Sequence, residues 1–278
     1  MIKPAISIII ANYNNGQYIA DCIKSLQNQT ASNWEAIIID DCSTDNSTEL
    51  IATLIQDDAR IKLFKNETNQ GYQRTLVKGV GYATADIFAR LDPDDMIKEN
   101  TIALSLQKHA DHPEVGLVYT NVVFCREDMT PFYVMKCKQV ESNNPNFFGF
   151  NGEISQFASF KRHLYDQTTG FDTFNRRAED KDIYMKMYEL APVLHIDEDL
   201  YLYRIHGTNA SKNENQAKAF FWFWVAIVKA SERRNINVEN LFLQHFMSVK
   251  DHQDLMNKIK SSRWIWLGKK LGFLKYLK

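Results

Sequence analysis

The sequence has no long apolar run. The longest, "AFFWFWVAIV" (219–228), falls well short of the roughly 18 residues of a membrane-spanning helix. The opening "MIKPAISIIIANYN" does not read as an export signal, because its apolar stretch is short, β-branched and runs into Asn and Tyr rather than small residues. Net charge is only −1, from 33 basic and 34 acidic residues, so no global field draws the chain to nucleic acid or to a membrane. Cysteine is scarce. Cys22, Cys42, Cys125 and Cys137 make no close pair and no metal-type spacing, which fits free thiols in a reducing cytoplasm. Neither glycine-based phosphate cradle occurs: no G-x-G-x-x-G follows the first apolar run, and no G-x-x-x-x-G-K-[ST] lies anywhere. Internal repeats and low-complexity linkers are absent too. These absences describe a cytoplasmic globular protein with no nucleic-acid partner.

What is present is an alternating pattern. The chain has 278 residues, 45% hydrophobic and 24% charged, enough for one large domain or a domain with an extension. "AISIIIA" (5–11), "WEAIIIDD" (34–41), "IKLFKN" (61–66) and "DIFARLD" (86–92) read as strands, the first two as parallel strands buried on both faces. Helical spacing lies between them at 18–30, 48–56 and 73–83. This β–α alternation predicts an α/β fold with a mostly parallel central sheet flanked by helices. Further on, 100–112 reads as a helix and 115–125 as a strand, and 126–152 as loop. Residues 157–172 suggest a strand and a short helix, 178–190 a helix with acidic residues in its first turn, and 193–206 two short strands. Residues 214–278 are mostly helical. A boundary within "GTNASKNENQ" (207–216) separates a domain of residues 1–210 from a helical extension of 211–278.

In open parallel sheets, ligands bind beyond the carboxyl ends of the strands. Here the first, second and fourth strands end in Asn12-Tyr13-Asn14, Asp40-Asp41 and Asp92-Pro93-Asp94-Asp95. In extended chain Asp92 and Asp94 share one side, and Pro93 stiffens the backbone between them. Two carboxylates facing one point are costly without a cation. Hard oxygen donors suit Mg²⁺ or Mn²⁺, whose other positions phosphate oxygens can fill. The same residues also suit an acidic turn capping the next helix. Asp40 or Asp41 can accept hydrogen bonds from a base or ribose, or Asp41, Ser43 or Asp45 can cap the following helix. "ED" at 179–180 alone suits a helix N-terminus. With no glycine cradle, phosphates need another counter-charge, and a metal at "DPD" supplies one.

Taken together, these segments resemble the family-2 inverting glycosyltransferases of GT-A fold, over about residues 5–210. The segments are "SIIIANYNNGQYIADCIKSLQNQT", "WEAIIIDDCSTDNS", "NQG" (69–71), "LDPDD" (91–95), "AEDKDIYMKM" and "YRIHGTNAS", in the expected order. The resemblance implies a Rossmann-like GT-A domain that moves a sugar from a nucleotide diphosphate donor, most often a UDP-sugar, to an acceptor hydroxyl with inversion. It implies that Asp41 contacts the base, that Asn12 and Tyr13 line the nucleotide pocket, and that Asp92 lies near ribose and diphosphate. Asp94 would bind Mn²⁺ or Mg²⁺, Asp180 would be the general base, and His206 would approach the metal or diphosphate. For His206, a strand-end histidine with no ligand role fits as well. The acceptor would be a saccharide or a lipid-linked one, in bacterial surface polysaccharide or glycolipid synthesis. The rival readings are a nucleotide-sugar-binding protein without transfer, which the intact "ED" argues against, and a nucleotidyltransferase. The latter needs a basic, glycine-rich loop where this chain has "NYNNGQ".

The chain departs from the family at Leu76-Val77, where an Arg-Asn pair is common, leaving Arg74 and Lys78 as basic candidates for the diphosphate or as solvated helix charges. The closing "RWIWLGKKLGFLKYLK" (263–278) interleaves Trp, Leu and Phe with Lys269, Lys270, Lys275 and Lys278 and has no acid. That composition suits either a helix lying on the inner, anionic membrane face or simple packing.

Overall fold

The first strand is isoleucine on both faces because both faces are covered. In the computed structural model, which describes residues 3–207, 214–245, 249–263, 267 and 270, β1 (Ile6–Asn12) and β2 (Trp34–Asp40) are buried along their whole length. Ile6, Ile8 and Ile10 face one core with α1 (Ile19–Gln27) and α2 (Ser47–Ile55). Ile9 and Ala11 face the other, with Leu76 and Val80 of α3 (Tyr72–Tyr82). Each fully buried isoleucine contributes roughly 1.5–3 kcal/mol relative to exposure. Gly79 lets α3 come close: a Cβ there would meet Ile9 Cγ2 at 2.4 Å.

Strands β3 (Ile61–Lys65) and β4 (Ile87–Arg90) complete the parallel half of the sheet, in the order β3-β2-β1-β4. Next come β5 (Met96–Ile97), α4 (Thr101–Asp111), β6 (Leu117–Cys125), β7 (Pro131–Met135), β8 (Ser159–Lys161), α5 (Arg162–Tyr165), α6 (Glu179–Tyr188) and β9 (Val193–Arg204). Among the described residues the sheet continues β8-β6-β9-β5. In this half β8 runs antiparallel to β4 and β6, while β9 runs parallel to β6.

Two local expectations are corrected. The segment 126–152 is not all loop, because β7 forms a hairpin with β6 and leaves Phe132 and Tyr133 exposed on an outer strand. Residues 193–206 form one strand and not two. The acidic stretch Asp197-Glu198-Asp199 falls at a register shift against β6, which is a bulge rather than a break. Asn121 Nδ2 donates to Asp197 and Asp199, and Lys136 Nζ reaches Asp199 at 2.7 Å, so these acids are paired where they stand.

The chain divides into compact units of residues 1–230 and 231–278. Helix α7 (Glu214–Arg233) contains the division, and the second unit holds α8 (Glu239–His245) and α9 (Val249–Ser261). Among the described residues no helix is long and apolar enough to cross a membrane. The membrane-surface expectation for 263–278 falls mostly outside the described residues, which there include only 263, 267 and 270.

Candidate active site

Because β1 lies between β2 and β4, three polar strand ends meet at one edge. Asn12 stands opposite Asp40, and Ile9 opposite Arg90, so "NYN", "DD" and "DPDD" emerge side by side. The first two loops are stitched together. Asn12 Nδ2 donates to Asp40 Oδ1 at 2.7 Å, Ser43 Oγ donates to the same oxygen, and Asn14 Oδ1 accepts from the backbone N–H of Thr44. Asp41 organises the third. Its carboxylate accepts from Asn66 Nδ2 at 2.7 Å and from the N–H groups of Gln70 and Gly71, each at 2.8 Å. Gly71 has φ 88 and ψ 154, a region only glycine enters readily, which accounts for the glycine in "NQG".

Asp92 belongs to a part-buried network that ties β4 to α6. Tyr72 Oη donates to Asp92 Oδ1 at 2.5 Å, and Arg90 Nη2 reaches Asp92 Oδ2 at 3.2 Å. Arg90 Nη1 donates to Glu179 Oε1 at 2.9 Å. Burial raises the Asp92 carboxyl above its ordinary range while the Arg90 charge pulls it back, and Glu179 is raised by burial against the same opposing charge. One guanidinium thus compensates two carboxylates, in a fork geometry a lysine does not reproduce. Ala178, just before Glu179, is held at φ 58 in the left-handed region, which turns the chain into α6. Lys181 N–H then donates to Asp180 Oδ1 at 2.8 Å.

The three aspartates of "DPDD" do different things. Asp95 is buried and does not line the cavity that Asp92 and Asp94 line: Tyr201 Oη donates to it at 2.6 Å and Arg204 N–H at 2.8 Å. Its carboxyl is pushed well up, first by burial and then by Asp94 and Asp92. It anchors the end of β9 and does not cap α4, whose N-cap is Asn100. Arg204 fastens the same junction, with Nε on the carbonyl of Asp94 and Nη2 on Asp21 Oδ2. That clamp brings His206 to the loop, where its Nε2 lies 2.9 Å from Asp94 Oδ2 and its ring packs on Tyr18 at 4.7 Å.

Asp94 and His206 are therefore a carboxylate and an imidazole meeting at one point. An oxygen and a nitrogen donor suit Mn²⁺, and Mn²⁺ or Mg²⁺ commonly takes few protein donors and leaves positions to phosphate and water. Among the described residues no group of three or more His, Cys, Asp or Glu could hold a metal. The donor set fits such an ion provided that a ligand completes it. Asp92 fits less well as a ligand, since both of its oxygens are already held by Tyr72 and Arg90.

All seven residues singled out from the sequence, Asn12, Tyr13, Asp41, Asp92, Asp94, Asp180 and His206, line one cavity of about 1120 Å³. Of the two basic candidates, Lys78 donates to Asn66 Oδ1 at 2.6 Å and Arg74 is exposed; neither lines the cavity. The basic residues that do line it are Arg90, Arg176, Arg177 and Lys181. Sequence reading missed Arg90 and Tyr72, and also the first half of α7. Arg90 ends an apolar strand, and only the acids around it hinted that a buried cation was needed.

The model "Glycosyl transferase family 2" matches residues 7–180. The glycosyltransferase GlyG of Streptococcus pneumoniae is 25% identical over 75% of this chain and 73% of its own length. The chondroitin synthase of Escherichia coli is 27% identical over 75% of this chain, which spans only 30% of that longer protein. Residues 1–349 of Staphylococcus aureus TarS, solved with UDP-GlcNAc, superpose with a TM-score of 0.68 at 18% identity, over 93% of this chain and 80% of that one. The mannosyltransferase PcManGT of Pyrobaculum calidifontis, solved with GDP-Man and Mn²⁺, gives 0.68 at 15% identity over 100% and 83%. At such identities the likeness is one of fold, and that fold is GT-A.

Proposed function

Because this chain belongs to glycosyl transferase family 2, we propose that it moves a sugar from a nucleoside diphosphate donor, a UDP-sugar, to an acceptor hydroxyl with inversion at the anomeric carbon. The observation that carries this reading is the convergence of the nucleotide, metal and base candidates on one cavity. Residues 1–210 would make up the catalytic domain. The acceptor would be a saccharide of bacterial surface polysaccharide or glycolipid synthesis, a reading supported by similarity to proteins named chondroitin synthase and hyaluronan synthase.

In this mechanism Asn12, Tyr13 and Asp41 hold the nucleotide at the ends of β1 and β2. Arg90 keeps Asp92 and Glu179 in place on either side of the reacting centre. Asp94 and His206 would hold Mn²⁺ or Mg²⁺, which supplies charge neutralisation for the departing diphosphate. Asp180 accepts the acceptor's proton as the hydroxyl oxygen attacks the anomeric carbon and the bond to the diphosphate breaks.

A thermal-shift screen of UDP-, GDP- and dTDP-sugars with and without Mn²⁺ tests the reading, because a ligand of the folded state raises Tm. The expected result is stabilisation by UDP-sugars that grows with Mn²⁺, and loss of the Mn²⁺-dependent part in Asp94→Ala. Stabilisation by no nucleotide sugar would rule the reading out.

A further inference from the structure

The cavity extends to a wall that the transfer chemistry above does not use. Gln216, Ala219, Phe220 and Phe223 of α7 line it, and their spacing of i, i+3, i+4 and i+7 makes one helical face. Phe220 is 45% exposed, although further along the same helix Ile227 and Ala230 are fully buried. The rings are set by neighbours: Phe223 meets Phe150 near-perpendicular at 5.7 Å, and Phe220 meets Trp224 at 6.3 Å. Arg176 lines the same cavity four residues before Asp180. It is exposed, and no ion pair holds it among the described residues.

Resting on the reading of this cavity as a site of glycosyl transfer, we propose that Phe220, Phe223, Gln216 and Arg176 form the acceptor subsite, and that it takes a saccharide bearing a phosphate or carboxylate group. The C–H face of a sugar ring carries slight positive charge and meets the negative face of an aromatic ring favourably. The Gln216 amide both donates and accepts, as sugar hydroxyls require. The Arg176 fork matches a phosphate or carboxylate. A purely apolar tail would want an unbroken apolar wall, and here Gln216, Arg176 and Asp180 interrupt it. Most ligand sites have this make-up, an apolar surface with a few fixed polar groups.

The test uses the full chain with the nucleotide side filled by UDP and Mn²⁺. Saturation-transfer NMR then gives dissociation constants for N-acetylglucosamine, N-acetylglucosamine 1-phosphate and glucuronic acid. One of the two anionic probes should bind about tenfold tighter than N-acetylglucosamine, and which one does so separates phosphate from carboxylate. Arg176→Gln should erase that preference. Phe220→Ala should weaken all three probes by about tenfold, while Phe220→Trp keeps them; Phe220 is exposed enough for both variants to fold. UDP affinity should stay unchanged in all three variants. Equal binding of the three probes by the wild type, no effect of Phe220→Ala, or weaker UDP binding by Arg176→Gln would each overturn the subsite. If UDP itself does not bind the wild type, the UDP-sugar reading fails instead.

Discussion

Asp180→Asn is expected to lower kcat by about 10²- to 10⁴-fold and to leave the donor KM within about twofold. The amide keeps the size and the hydrogen bond from Lys181 N–H but cannot take a proton. The loss should therefore lie in the chemical step rather than in binding. Glu179, one residue earlier, does not substitute, because its carboxylate is tied to Arg90 at 2.9 Å. Glu179→Gln should cost less in kcat than Asp180→Asn. The measurement is steady-state release of nucleoside diphosphate. A fall of less than tenfold in Asp180→Asn would remove that residue from the role of base.

Arg90→Met should destabilise the fold by about 3–5 kcal/mol in urea denaturation, the usual cost of removing one partner from a buried ion pair. Arg90 is 8% exposed and is the cation shared by Asp92 and Glu179. Without it, two half-buried carboxylates stand near each other uncompensated. Adding Asp92→Asn and Glu179→Gln to Arg90→Met should recover much of the loss, since the orphaned charges are then gone. Recovery identifies the penalty as electrostatic. A triple variant no more stable than Arg90→Met would point to lost packing against Tyr72, whose ring lies 5.7 Å from the guanidinium.

The two predictions also mark where sequence reading reached and where it stopped. The place of Asp180 in the cavity lining was legible because helix α6 begins at Glu179 and "ED" sits with five other segments in family order. The strand ends were legible because an isoleucine run buried on both faces can only be a central strand, and its neighbours follow by alternation. Arg90 was not legible. Its partner Glu179 is 89 residues away in sequence, and the nearby acids, Asp92 among them, do not by themselves distinguish a strand-end arginine that faces solvent from a buried one shared by two carboxylates. The same distance hid Asp95: its partners Tyr201 and Arg204 lie 106 and 109 residues on, so a local helix-capping role looked equally good. The bulge in β9 reads from sequence as a gap because the acids there are stabilised by Asn121 of β6 and by Lys136, just past the end of β7. Residues 219–230, apolar nearly all round, read as a helix packed on the domain. Trp224, Ala226, Ile227 and Ala230 of α7 are buried, and only the folded chain shows that Gln216, Ala219, Phe220 and Phe223 face a cavity.

The central claim is that this cavity carries out inverting transfer with Asp180 as base, and the stereochemistry of the released sugar tests it most directly. The donor that stabilises the protein most, incubated with Mn²⁺ and enzyme but with no acceptor except water, is followed by proton NMR before the free sugar mutarotates. A single attack by water from the opposite face predicts that the first anomer to appear is opposite to that of the donor. First appearance of the donor's own anomer would contradict it.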